Sequence, residues 1–411
     1  MTCLPRLSSR APSFYSQLLS ISGMLQGRSR ERSLLLLMLV QLSTGFSSGI
    51  IEPILSLYVR SRGLTIVEVG LLGTASMLGW FIFEPLMGVV ADSVRKRTMM
   101  IVAIVGTTAV YALYPFASTL THFALLAFTR SSVLSAYSIP VKALMAELLP
   151  GRDRGRAYGR YMTVISLGGM VSPFIGGYAS QVSGYLVPFY ISAAVGVVGL
   201  AALLVMRHGD EPLEGGATTR GWREILTAPV LGVFSVRGLF FVNSGFRSSF
   251  LPIYLNESPL FSASEAQIGA FFTLVRLSGA LSRSTIGDLC DRLGNRLMIV
   301  VSVAVLGVSY GALLLGGSVW AMYAVAVMQG VSMAGADTSM MLQLIFVMPA
   351  GRTGLVMGLF SEAENVGGLI ATPTLGYMYQ SMGAGSSLTA VAAAMCLNAL
   401  LAFLVIKKKD G

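Results

Sequence analysis

Six ionisable side chains stand inside stretches that are otherwise apolar: Glu52, Arg130, Arg237, Arg247, Arg276 and Asp337. An ion in hydrocarbon is costly, so such groups face a water-filled cavity or one another, and what they can do is pair, part and exchange protons. Little else in the chain offers chemistry. Histidine occurs only as His122 and His208, and Cys3, Cys290 and Cys396 lie far apart, which argues against a metal cluster or a His-based nucleophile. No Gly-Lys dipeptide is present, so there is no ATP-binding P-loop. No cofactor and no metal are expected, and no His, Asp and Glu cluster suggests an enzyme. Any work must draw on an ion gradient, a solute gradient or another chain.

The elements that hold these charges are long and greasy. Of 411 residues 54% are hydrophobic and only 12% charged, half the roughly 25% of an ordinary soluble protein. The mean hydropathy is +0.72. Runs of about 20 apolar residues cross a bilayer, and twelve are legible: 34–58, 66–90, 98–117, 121–146, 157–181, 185–206, 229–253, 265–287, 297–316, 319–346, 355–379 and 385–406. They are too long and too evenly apolar for barrel strands. The expected fold is an all-α membrane protein of twelve spans in the lipid bilayer.

Loop cations set the orientation. With the N-terminus cytoplasmic, Arg95, Lys96, Arg97, Arg152, Arg154, Arg156, Arg220, Arg223 and Lys407 to Lys409 all fall inside, and the outer loops hold Arg60 and Arg62. The net charge of +10 is therefore a topology signal, not a nucleic-acid footprint, and both termini are expected in the cytoplasm. The hydrophilic segment 207–228 separates 33–206 from 229–406, six spans each, with basic tails at 1–32 and 407–411. The first tail reads as a disordered segment, an over-extended start ahead of Met24, or an organellar transit peptide. A plasma membrane is expected, or an organellar one in the last case.

The second half repeats the first. "GVVADSVRKR" (Gly88 to Arg97) and "GDLCDRLGNR" (Gly287 to Arg296) share one skeleton, with Gly88, Asp92 and Arg97 matching Gly287, Asp291 and Arg296, each 199 residues on. The same offset joins Pro53 to Pro252, Gly168 to Gly367, Gly177 to Gly376 and Gln181 to Gln380. The glycines admit close helix approach, and the aspartates suit the positive N-terminus of a neighbouring helix.

These residues resemble the major facilitator superfamily, whose signature after span 2 is Gly-x-Leu-Ala-Asp-Arg-x-Gly-Arg-Arg. The second copy fits at Gly287, Leu289, Asp291, Arg292, Gly294 and Arg296; the first keeps Gly88, Ala91, Asp92, Lys96 and Arg97. The resemblance implies two six-helix bundles related by an axis along the membrane normal. It further implies a cytoplasmic latch, Asp92 meeting span 11 near Gly354 and Asp291 meeting span 5 near Gly155. In span 5, Gly159, Gly168, Pro173, Gly176 and Gly177 resemble a drug–proton antiporter motif, with Ser172 replacing one glycine. Arg130 resembles the arginine of a second antiporter motif whose other positions are absent.

The resemblance also implies that spans 1, 4, 7 and 10 line a central pathway. That group holds Glu52, Arg130, Arg237, Arg247 and Asp337, along with Asn243 and Gln329, and leaves out Arg276 of span 8. At 1.5 Å per residue, Glu52, Arg247 and Arg130 lie roughly 9, 8 and 6 Å outward of mid-span. An outer cluster is expected, Glu52 with Arg247 or Arg130, and an inner pair, Arg237 with Asp337. Glu362 and Glu364 read as structural acids near the start of span 11. Phe240, Phe241, Phe246, Met328, Met333, Met340 and Met341 suit an amphipathic solute. The expected function is alternating-access transport by a monomer, proton-coupled (H+) export of small organic, drug-like compounds. The rival within transport is an importer of a nutrient or metabolite; a receptor or a membrane enzyme is more remote.

Overall fold

The computed structural model describes residues 14–91, 94–148, 154–206, 227–348 and 353–406. Helices fill them, and no strand occurs among them. Uniformly apolar segments leave the backbone no water to bond to, so it must satisfy itself within each helix.

Span 1 is Phe14–Ile51 continued by Ile54–Ser61, span 2 Ile66–Ala91, span 3 Lys96–Leu113, span 4 Leu120–Leu148, span 5 Arg154–Ser183 and span 6 Leu186–Val205. Span 7 is Ala228–Ser249 continued by Leu251–Glu257, span 8 Glu265–Leu293, span 9 Asn295–Leu315, span 10 Val319–Val347, span 11 Thr353–Met382 and span 12 Ala384–Val405. Eight of these are long and apolar enough to cross a membrane by composition. The remaining four, spans 4, 5, 8 and 11, run 29, 30, 29 and 30 residues. At 1.5 Å per residue that exceeds the roughly 30 Å hydrocarbon core.

Spans 1 and 7 break at equivalent places, before Pro53 and Pro252, because proline has no N–H to continue the ladder. Glu52 sits in the first break. Ser264 and Gln267 form a reciprocal capping box that starts span 8.

Spans 1 to 6 pack as one bundle, with span 1 on spans 5 and 6, span 4 on spans 2 and 3, and span 3 on span 6. Spans 7 to 12 repeat the pattern, span 7 on 11 and 12, span 10 on 8 and 9, span 9 on 12. The bundles meet along span 2 with span 11, and span 5 with span 8. The end where span 6 finishes at Val205 and span 7 begins at Ala228 is called the linker end, and the opposite one, where span 5 turns into span 6 and span 7 into span 8, the far end.

The repeat explains the seams. Gly177 lies where a Cβ would overlap the Glu265 carbonyl and crowd Gly269, and Gly269 in turn faces the Pro173 carbonyl. Its counterpart Gly376 meets Gly70 and Phe250 between spans 11 and 2. Gln181 accepts from the Ala266 amide at 3.3 Å, and Gln380 accepts from the Val67 amide at 2.9 Å. Val67 and Ala266 are themselves one repeat apart, so the same bond is made twice across the bundle boundary. Tyr185 donates to Glu265 at 2.6 Å, and Arg60 pairs with Glu257 at 2.7 Å, which adds further contacts at the far end.

Gly177→Leu is therefore expected to hold the far end apart. Overpacking costs about 1–3 kcal/mol where the neighbour cannot yield, and here the neighbour is backbone. Spin labels on two exposed far-end residues, Ser183 at the end of span 5 and Ser262 in the loop before span 8, should move apart by several ångströms on the scale of a side chain. An unchanged distance would refute the seam.

Candidate functional site

The two arginines that end the duplicated basic motif make equivalent bonds at helix ends. Arg97 donates to the carbonyls of Leu203 and Leu204 at 3.3 and 2.5 Å. Arg296 donates to the carbonyl of Phe403 and stacks 4.5 Å over that ring. Leu204 and Phe403 are again one repeat apart, and both end their helices. Each arginine thus caps span 6 or span 12 within its own bundle, where unpaired carbonyls and the helix dipole favour a cation. Gly287 departs from expectation: among the described residues nothing lies within 4 Å of where its Cβ would stand. Gly294 has the reason its neighbour lacks, a φ of +85° at the turn from span 8 into span 9. Asp291 and Arg292 are exposed and make no ion pair among the described residues. Asp92 lies outside the described residues, and Gly155 and Gly354, the helix ends of the latch, lie outside those whose surroundings are described; Gly88 is half-buried.

In span 5, a Cβ on Gly168 would stand 3.0 Å from the Leu42 side chain and one on Gly176 would overlap the Ile50 carbonyl, so both glycines seat span 1, while Gly177 seats span 8. Pro173 lies within the helix. Gly159 lies outside the residues whose surroundings are described.

Two charged layers cross the molecule. Counted from the helix ends at 1.5 Å per residue, Glu52, Arg247, Arg276 and Arg130 all lie about 15 Å from the far end. Arg237, Asp337 and Glu364 lie about 15 Å from the linker end.

In the outer layer Glu52 accepts from Arg247 Nη1 at 2.9 Å through one oxygen and from Arg276 Nη2 through the other. Arg276 Nη1 also donates to the Gly169 carbonyl at 3.0 Å. One carboxylate of the first bundle thus holds two guanidinium groups of the second, and span 8 is tied to span 5. Arg276 was outside the expected pathway, which took in spans 1, 4, 7 and 10 and not span 8. The helix count from the far end is the signal that finds it. Arg130 instead lies beside the hydroxyls of Tyr111 and Tyr114, with no carboxylate within 4 Å among the described residues.

In the inner layer Arg237 Nη1 donates to Asp337 at 2.5 Å and Nε to Glu364 at 2.6 Å. Its guanidinium lies 4.8 Å over Phe241 and 4.7 Å over Phe360. The expected pair is therefore a triad within the second bundle, one cation shared by two acids. Glu364, read as a helix-start acid, belongs to it because it stands eleven residues into span 11. Near it Asn365 donates to Glu84 at 3.5 Å, across spans 11 and 2.

Two cavities flank Glu52 and Arg247. One cavity of about 330 Å³ lies among spans 1, 5, 7, 8 and 10, with Met170, Val275, Met333, Arg283 and Asp337 in its wall. Arg283, an exposed cation of span 8, is a further lining residue that the sequence analysis did not single out. A second chamber of about 270 Å³ lies among spans 1, 2, 4, 7 and 11, lined by Trp80, Met77, Phe123 and Arg130 among others. Glu52 and Arg247 belong to both walls.

Asn243 and Gln329 line neither. Both are fully buried, Asn243 accepting from Tyr310 of span 9 and Gln329 with no side-chain partner among the described residues. The cavity face of span 10 is Gly330, Met333, Ala334 and Asp337. Gln329 precedes it by one residue, about 100° round the helix. Phe240, Phe241, Phe246, Met328, Met340 and Met341 are likewise absent from both walls. Among the described residues no cluster of His, Cys, Asp and Glu would hold a metal ion.

Two six-helix bundles, paired by repeated seams and enclosing charged cavities, form the architecture of a membrane transporter. The chain belongs to the Major Facilitator Superfamily, whose family model matches residues 37–259 and 233–411. It is 25% identical over 369 residues to an uncharacterized MFS-type transporter of Methanocaldococcus jannaschii, covering 86% of this chain and 92% of the relative. It is 26% identical over 204 residues to the quinolone resistance protein NorA of Staphylococcus aureus, 46% of this chain and about half, 51%, of that protein. Among solved structures, the nucleoside transporter NupG superposes with a TM-score of 0.73 at 16% identity, over 91% of this chain and 98% of NupG. That likeness is one of fold.

Proposed function

We propose that the protein exports small organic compounds in exchange for protons, the two bundles rocking about the cavities. The observation that carries this reading is Glu52 shared between Arg247 and Arg276 at the wall of both cavities. Ionised, the carboxylate binds the second bundle to the first. A proton on it cancels that attraction, so proton uptake belongs with the state in which the bundles have parted at this level. Binding a proton and opening the far end become linked events, since a ligand shifts an equilibrium by its differential affinity for the two states.

Export is supported by the span 5 pattern and by the similarity to a protein named for quinolone resistance. The apolar wall of Met170, Val275 and Met333 suits drug-like solutes. In this reading the linker end is cytoplasmic, the membrane is the plasma membrane and the monomer is the working unit. One observation favours import of an anionic metabolite instead: the walls of the two cavities hold Arg130, Arg247, Arg276 and Arg283 against Glu52 and Asp337.

Purified protein in sealed vesicles, with an imposed pH gradient and a panel of labelled compounds, separates these. Export predicts accumulation in inverted vesicles acidified inside, abolished by a protonophore. Accumulation that persists after the gradient is collapsed overturns proton coupling, and accumulation only with the opposite gradient overturns export.

A further inference from the structure

We propose that the chamber beside Arg130 is a binding site for an aromatic carboxylate. The chamber has four buried polar atoms with no hydrogen-bond partner on its lining residues: Arg130 Nε, Arg247 Nε, Ser56 Oγ and Tyr114 Oη. Two of them are obligate donors and the other two are hydroxyls able to donate. Buried polar groups are nearly always bonded, so a concentration of orphans around one cavity marks what enters it. Four groups that can all donate call for an acceptor.

Charge points the same way. Among the described residues Glu52 is the sole carboxylate in the chamber wall, and Arg247 and Arg276 already hold both its oxygens. Arg130 has the hydroxyls of Tyr111 and Tyr114 beside it and feels Glu52 only at longer range, with no salt bridge to a carboxylate among the described residues. Two guanidinium groups against one carboxylate leave the wall with an excess of desolvated positive charge, which an intramembrane site holds to recognise an anion, and the planar fork of Arg130 matches a carboxylate. The rest of the wall is apolar and aromatic, with Leu55, Leu72, Met77, Trp80 and Phe123. A volume of about 270 Å³, some nine waters' worth at about 30 Å³ each, accommodates a single substituted ring. A flat ring between Trp80 and Phe123, with its carboxylate toward Arg130, satisfies both halves of the wall.

The site rests on the transporter reading only for its place on the solute's route, beyond the Glu52–Arg247 partition. Its test needs no transport. Trp80 is one of three tryptophans, and replacing Trp222 and Trp320 with phenylalanine leaves it as the sole reporter. The full chain in non-ionic detergent is titrated with 4-nitrobenzoate, a contact quencher, and with its neutral isostere 4-nitrobenzamide. The expected result is saturable quenching by the acid at concentrations at least tenfold below those the amide needs. Arg130→Gln should abolish that preference, and Arg130→Lys, which keeps the charge without the fork, should retain part of it. Equal, non-saturating quenching by acid and amide in the parent protein overturns the site, whether or not the Arg130 variants fold. An acid preference that survives Arg130→Gln in a monodisperse protein overturns the assignment to Arg130. A negative result here alongside proton-driven transport in vesicles removes this site and leaves the transporter reading standing.

Discussion

Glu52→Gln is expected to abolish proton-driven transport while the protein still folds and inserts. The amide has the size of the acid and keeps one oxygen as an acceptor for Arg247 or Arg276, but it carries neither the charge nor a titratable proton. Each charge-assisted bond contributes about 1.5–3 kcal/mol against about 1 kcal/mol for a neutral one. Losing the charge at two bonds removes roughly 1–4 kcal/mol of cross-bundle attraction, a shift of roughly 5- to 1,000-fold in the balance between closed and open far ends. Solute exchange down its own gradient should persist, because the bundles still rock. Accumulation against a gradient should fall to background. Measured side by side in vesicles, the two readouts separate a coupling defect from a folding defect, which would remove both. Undiminished proton-driven accumulation by Glu52→Gln would show that the proton is carried elsewhere. Glu52→Asp, one methylene shorter at a site fixed by two partners, should sit between parent and Gln.

Depth along each helix was legible in the sequence, and rotation was not. The rise per residue is fixed, so Glu52 and Arg247 can be placed at one level and Arg237 and Asp337 at another from numbering alone. Pairs that meet across the cavity follow from that. Which face a residue occupies turns by about 100° per position, and a span apolar all round carries no amphipathic stripe to fix it. Asn243 and Gln329 illustrate the loss: they sit at plausible depths on pathway helices yet turn into the packed interior. Arg276 illustrates a different one. It matched Glu52 in depth, and only the choice of lining spans kept the two apart. The repeat was the strongest signal because it tests itself. Gln181 with Gln380, and Arg97 with Arg296, make equivalent bonds to partners that are also one repeat apart. For Arg97 and Arg296 the motif located the residues, while the bonds they make could be known only once spans 6 and 12 were seen to end beside them.

Arg237→Met should be the most destabilising single change in the inner layer. Arg237 is 10% exposed and answers two acids, Asp337 at 40% and Glu364 at 22%. Removing one partner of a buried ion pair costs about 3–5 kcal/mol, because a charge is left in low dielectric without compensation. Glu364 carries most of that penalty; Asp337 faces the cavity, where solvent screens it. The expected fall in thermal midpoint is on the order of 10 °C, taking roughly 2–4 °C per kcal/mol for a bundle of this size. The aromatic rings beside the guanidinium, Phe241 and Phe360, would pack against methionine, so the loss is one of charge and not of shape. Arg237→Met with Glu364→Gln should recover most of the stability, since the neutral amide no longer needs a cation. Asp337→Asn alone should change it by less than about 1 kcal/mol, leaving a one-to-one pair of Arg237 and Glu364. A midpoint for Arg237→Met within a degree or two of the parent would mean that the two carboxylates are solvated or protonated without it. The inner layer would then be a water-filled vestibule, and the ordering of charges by depth would carry no weight at that level.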